Sequence, residues 1–134
     1  MLYFNPTQID AMVRSRLSRK GHLINLDIND YRILVAEQQS VCAVRVISED
    51  PFPEFLDQLR QELYNAQSAV DEPVGIMMQL TATPEGKFTM ENYKALHDLI
   101  TEMFGSEVNM KFGFSLADNP HGDLKDIFII VAGD

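Results

Sequence analysis

Four oxygen-bearing side chains stand close together in the stretch Asn25-Leu26-Asp27-Ile28-Asn29-Asp30, three of them at a spacing that could gather them. Asn25, Asp27 and Asp30 occupy its positions 1, 3 and 6, just where a helix is expected to begin. Grouped at a helix N-terminus, they have the chemistry to orient a water molecule or a cation. The same residues also fit a purely local role. Asp27 suits the N-cap, and Asp30, in the first turn, favours the positive end of the helix dipole. Spacing alone leaves both readings open.

Other constellations carry less. Asp118, His121, Asp123 and Asp126 are dense enough for weak binding of a hard cation. Asn119-Pro120 and His121-Gly122, however, are turn dipeptides, so no metal site is expected. The seven glycines are never closer than eight residues apart. A phosphate-cradling loop needs several together, so none is expected, and no cofactor with it. His22, His97 and His121 accompany neither a Gly-x-Ser-x-Gly elbow nor a His-Glu-x-x-His pair. The single cysteine, Cys42, lies in the apolar run Val41–Ile47. It reads as a buried structural thiol, since a reactive thiolate needs an electropositive, accessible site.

Arg14, Arg16, Arg19 and Lys20 place four of the eleven basic residues in seven positions. Over about two helical turns this makes a local patch. It serves either a solvated last turn that complements the helix dipole or a docking contact with a partner.

The elements that must position these groups follow from periodicity. Asn5-Pro6 opens a helix, with Ile9, Met12, Val13 and Leu17 on one face and Gly21 as its stop. Asp27 caps a second helix to about Gln38. Val41–Ile47 reads as a buried strand. A helix starting near Pro53 carries Phe52, Phe55, Leu56, Leu59 and Leu63 on its inner stripe. Val74–Thr83 alternates as a strand, and Thr89 caps a helix to about Phe104, with Phe88 and Tyr93 as a hydrophobic staple and Gly105 as a stop. Residues 108–116 and 127–132 close the chain as two strands, read as an antiparallel hairpin.

The expected architecture is α+β, in one domain over residues 1–134: a two-layer domain with a mixed four-stranded sheet and packed helices. Residues 5–38 form its helical N-terminal segment, and 41–134 its sheet and helices. The length, with 46% hydrophobic residues, is enough for one core and excludes wholesale disorder. A net charge of −9 argues against a general nucleic-acid binder. No apolar run approaches the ~20 residues of a membrane span, and the N-terminus lacks a secretion-signal pattern. The cytoplasm is the expected location. Leu2, Tyr3 and Phe4 add large apolar side chains before the first cap. With Ile9 and Met12 they suggest an apolar surface for self-association, hence a homo-oligomer.

Gly21-His22-Leu23-Ile24-Asn25-Leu26-Asp27-Ile28-Asn29-Asp30-Tyr31-Arg32 resembles the co-catalytic loop of FtsZ, the bacterial tubulin homologue. The similarity continues through Leu80–Glu91 and the closing segment Gly113–Gly133, so it spans roughly Pro6 to Asp134. One extra residue separates Gly21 from Asn25, and Val41–Gln67 agrees only in the order of elements. The resemblance implies the C-terminal half of an FtsZ/tubulin-type protein without its GTP-binding domain, either as a stand-alone relative or as a piece of a longer GTPase. In that family one subunit's loop enters the next subunit's nucleotide pocket and helps position the attacking water. Carried over, Asn25, Asp27 and Asp30 are candidate co-catalytic residues, with Arg14, Arg16, Arg19 and Lys20 beside them for partner binding. The implied function is a non-enzymatic interaction domain that docks on a tubulin-like GTPase or filament. The alternatives are a small-molecule-binding regulatory module, a small oligomeric enzyme on a similar sheet, or a filament-forming half-subunit.

Overall fold

The computed structural model describes residues 1–17, 22–24 (backbone only), 26, 28–36, 40–70, 72–83, 88–117 and 124–133. Local signals place the helices as expected. The Asn5 side-chain oxygen accepts from the backbone N–H of Thr7 at 2.9 Å and of Gln8 at 3.2 Å. It thereby caps helix α1, Pro6–Leu17. Helix α2 covers Ile28–Val35, and α3 covers Phe52–Ala69 with proline in its first turn. Helix α4, Met90–Phe104, begins at Thr89, whose hydroxyl accepts from the Asn92 N–H, and stops at Gly105, where φ is 94°.

Six strands form one mixed sheet: β1 Leu2–Tyr3, β2 His22–Ile24, β3 Ser40–Ser48, β4 Pro73–Ala82, β5 Asn109–Leu116 and β6 Lys125–Gly133. Their spatial order is β1-β3-β6-β4-β5-β2. The pair β4/β5 is parallel, as its α4 crossover requires, and the remaining pairs are antiparallel. The α+β class and mixed sheet agree with expectation. The four long strands gain two short edge strands, β1 and β2, too brief for any periodicity to show.

The expected closing hairpin is not formed. β6 lies between β3 and β4, paired with both along its length, and β5 pairs with β4 instead. Every residue of β6 is buried, whereas β5 alternates exposed and half-buried positions over Asn109–Phe112 and is buried only at Gly113 and Ser115. A strand apolar on both faces belongs in the middle of a doubly covered sheet, and an alternating one belongs near its edge.

Helices cover both faces, so the domain has three layers where two were expected. On one face α3 and α4 bury Phe55, Leu59, Leu63, Leu96 and Ile100 against Val44, Ile76, Met78 and Ile129. On the other, α1 and α2 bury Ile9, Val13 and Tyr31 against Ala43, Met77, Phe128 and Ile130. The N-terminal residues join this core. Leu2 pairs opposite Val44 and Tyr3 opposite Ala43; Leu2 packs on one face and Tyr3 on the other. Ile9 is fully buried and Met12 packs beside it, which removes the apolar surface expected for self-association. Of the four residues expected there, Tyr3, Phe4, Ile9 and Met12, only Phe4 stays largely exposed. Among the described residues, no helix is long and apolar enough to cross a membrane.

Candidate functional site

The segment from α1 to α2 crosses the far edge of the sheet. His22 lies opposite Ser115 and Ile24 opposite Phe114, with an irregularity between them. The chain then turns inward at Leu26, which is buried in the α1/α2-side core, and α2 starts at Ile28. Asn25 and Asp27 lie outside the described residues, as do Arg19 and Lys20. Asp30 is placed in the first turn of α2, where a carboxylate complements the helix dipole. It lines a groove of about 220 Å³ with Ile33 and Leu34 of α2, Val74, Gly75 and Met77 of β4, and Asn109 and Lys111 of β5. α2 packs closely on β4 here, so a β-carbon at 75 would meet the end of the Leu34 side chain, which would have to shift.

The two described members of the basic patch, Arg14 and Arg16, lie in different surroundings. Arg14 is exposed and pairs at 2.8 Å with Asp10, one turn earlier on α1. This contact with the Asp10 carboxylate raises its pKa. Arg16 is buried, which corrects its assignment to a partner-binding surface. Its Nε donates to Gln79 Oε1 at 2.9 Å, its Nη1 to Asp126 Oδ1 at 3.2 Å and its Nη2 to the Asp126 carbonyl at 3.0 Å. The guanidinium also lies 5.4 Å from the centre of the Phe128 ring. Arg45 grips the same carboxylate from β3, Nε to Oδ1 at 3.2 Å and Nη2 to Oδ2 at 2.9 Å. Its hydrogen bonds to Asp126 raise the Arg45 pKa against the opposing effect of burial. Gln79 donates on to Ser115 Oγ at 2.9 Å, and Thr81 and Ser115 share a 2.9 Å hydroxyl contact.

Asp126 is therefore committed to two arginines. Asp118, His121 and Asp123 lie outside the described residues. Among those described, no group of three or more His, Cys, Asp or Glu side chains is placed to hold a metal ion. The network tethers α1 to β4 and β6 of the sheet. Arg16 sits in the last turn of α1, and Ser115, at the other end of the network, lies on β5 opposite His22 of β2. Sequence reading missed the network. Its one signal was Lys125-Asp126, two charges opening an otherwise continuous apolar run.

Cys42 is buried, and burial pushes its thiol up to about 11. This fits a structural thiol.

Two further cavities line the surface. One, of about 480 Å³, is bounded by Phe4, Pro6, Ile9, Tyr31, Val35 and Val41, with Ser40 and Ala69. Burial, and secondarily the Asp10 charge, raises the pKa of the Tyr31 hydroxyl. The other, also about 480 Å³, lies between the start of α4 and β5. Phe88 stacks at 5.2 Å on Phe114 and 6.0 Å on Phe112, and Tyr93 meets Phe112 edge-on at 4.8 Å. The two staple residues thus meet through a third ring.

No protein-family model and no curated protein matches the sequence. Solved structures do match the fold. A structure of FtsZ from M. jannaschii, described as an empty dimer, aligns with a TM-score of 0.65 at 13% identity, over 88% of this chain and 34% of that one. A second M. jannaschii FtsZ, the W319Y mutant, gives 0.65 at 13% identity over 95% of this chain and 38% of that one. TubZ of Bacillus thuringiensis serovar israelensis, in GDP-form protofilaments, gives 0.61 at 14% identity over 86% and 32%. The chain thus spans about a third of the length of these proteins, and over that third it has the FtsZ/TubZ fold, consistent with a C-terminal-domain-like piece.

Proposed function

We propose that this chain is a non-enzymatic interaction domain of the FtsZ/tubulin C-terminal type. It works in the cytoplasm, docks on a tubulin-like GTPase or filament, and alters its assembly or GTP hydrolysis. The observation that supports this reading is a fold match running through 95% of the chain, with Asp30 at the partly exposed first turn that follows the Asn25–Asp27 segment. On this reading Asn25, Asp27 and Asp30 face the partner's nucleotide, where positioning and electrostatics dominate phosphoryl transfer. Arg14, Arg19 and Lys20 flank them. The test is to add the purified chain to a purified FtsZ with GTP, following phosphate release and light scattering. The wild type should change both at near-equimolar ratio, and the chain alone should release no phosphate. Asp27→Asn with Asp30→Ala should cancel the effect on hydrolysis. A wild type that leaves rate and scattering unchanged refutes the reading.

A second reading, a small-molecule-binding module, is favoured by the cavity under Phe4 and Tyr31. It requires a saturable rise in melting temperature with a small apolar ligand, and loss of that rise in Val41→Trp.

A further inference from the structure

Among the described residues, the outer edge of β5 has no strand partner over Asn109–Gly113, and a groove lies on each side of it. β5 pairs with β4 from Asn109 to Leu116, but on its other side β2 reaches only Phe114 and Ser115. Among the described residues, no strand covers Asn109–Gly113 from outside. Backbone N–H and C=O groups on such an edge form a template for another strand. Successive side chains of β5 point to opposite faces. Met110 and Phe112 face the aromatic groove, completed by Phe88, Met90 and Tyr93. Asn109 and Lys111 face the groove beneath α2, with Asp30 and Ile33 on the other wall. Large apolar side chains are left in water on both sides, Met90 at 78% exposure and Ile33 at 76%.

We propose that Asn109–Gly113 accepts an extended segment of a protein partner as a seventh, antiparallel strand, with the side-chain pattern large apolar, acidic, large apolar. The backbone supplies affinity, and the two grooves read alternate side chains. The residues opposite Met110 and Phe112 enter the aromatic groove. The residue between them lies directly across from Lys111, where an opposite charge stabilises and a like charge does not. Asp30 stands on the far wall, so the acid belongs on the β5 side, where cross-strand pairing places it. Lys111 also argues against a second copy as occupant. Two copies pairing about a two-fold axis over 109–113 would set Lys111 opposite Lys111. This inference stands independently of the GTPase-partner reading.

The test uses a labelled ten-residue peptide that alternates phenylalanine or valine with threonine and has one central glutamate. It is compared with the same peptide carrying lysine for glutamate, and with one interrupted by two prolines. Fluorescence polarisation should show the glutamate peptide binding about three- to tenfold more tightly than the lysine peptide, the range expected for exchanging an attractive for a repulsive cross-strand pair. The proline peptide, lacking ladder donors, should not bind. Lys111→Glu, a change at an exposed side chain, should invert the preference, and bound peptide should slow amide exchange within 109–113. The proposal is overturned if no glutamate peptide binds, if Lys111→Glu leaves the order unchanged, or if protection appears elsewhere. A chain that sediments as a dimer whose dissociation frees the 109–113 amides also overturns it.

Discussion

Arg16 and Asp126, separated by 110 positions in sequence, form a buried ion pair at 3.2 Å that fastens α1 to the central strand of the sheet. Arg45 holds the other oxygen of the same carboxylate, so the two possible deletions are not equivalent. Asp126→Ala leaves two guanidinium groups without their shared acceptor, one of them buried. Removing one partner of a buried pair costs about 3–5 kcal/mol. Arg16→Met keeps the Arg45–Asp126 pair and fills similar volume, so its cost should be clearly smaller. Urea denaturation of the two variants measures the order, and equal costs would show that Arg16 and Arg45 do not share the carboxylate.

Gly75 and Leu34 give a second test. α2 lies so close to β4 that a methyl group at 75 meets Leu34. Gly75→Ala should destabilise by about 1–3 kcal/mol through overpacking. Leu34→Ala opens space in the same place, so the double variant should be more stable than the sum of the two single costs implies. Strict additivity would place α2 elsewhere.

What could be read in the sequence was local. The Asn5 and Thr89 caps and the Gly105 stop announce themselves within a turn of chain, because a helix end satisfies its own free amides and carbonyls nearby. The face of β4 was legible for the same reason: Ile76, Met78 and Leu80 alternate. What failed was non-local. Adjacent strands suggested a hairpin, but β6 is buried on both faces and pairs with β3 and β4. Arg16 looked like one cation in a surface patch, because nothing near residue 16 reveals an acceptor at residue 126. The apolar residues 2–4 looked surplus because a two-residue edge strand has no period to detect. Of the candidate site, the place of Asp30 in the first turn of a helix was legible, while the aromatic groove depends on Phe88, Tyr93 and Phe112 meeting across two elements.

Cys42 predicts a pH dependence. Its folded pKa is raised to about 11 by burial, above the ~8.5 of a free thiol. Below pH ~8.5 the thiol is protonated in both states and contributes nothing. As pH rises from there towards 11, the unfolded chain ionises while the folded one keeps its proton, so stability falls. The expected loss is on the order of 2–3 kcal/mol across that window. Tyrosines and lysines titrate in the same range, so the measure is the difference from Cys42→Ala. That variant should start less stable at pH 7 and lose less on going to pH 10.5. Parallel curves would mean that the thiol ionises equally in both states.

Ile9 separates core from interface. A self-association surface on α1 would leave Ile9 accessible in the monomer, and Ile9→Ala would weaken dimerisation with little effect on the fold. The structure instead buries Ile9 completely, beside Val13, Ala43 and Phe128. Truncating a side chain in such a place removes its burial energy and leaves a cavity, at a cost of about 2–5 kcal/mol. That loss belongs to the single chain, so it must not depend on how much protein is present. An interface residue behaves differently, since stability shared between subunits rises with concentration by mass action. Thermal melts of the wild type and Ile9→Ala at protein concentrations a hundredfold apart decide between these cases. The expected result is a lower melting temperature for the variant, offset from the wild type by the same amount at both concentrations. An offset that shrinks or grows with concentration would return α1 to the role of an interface.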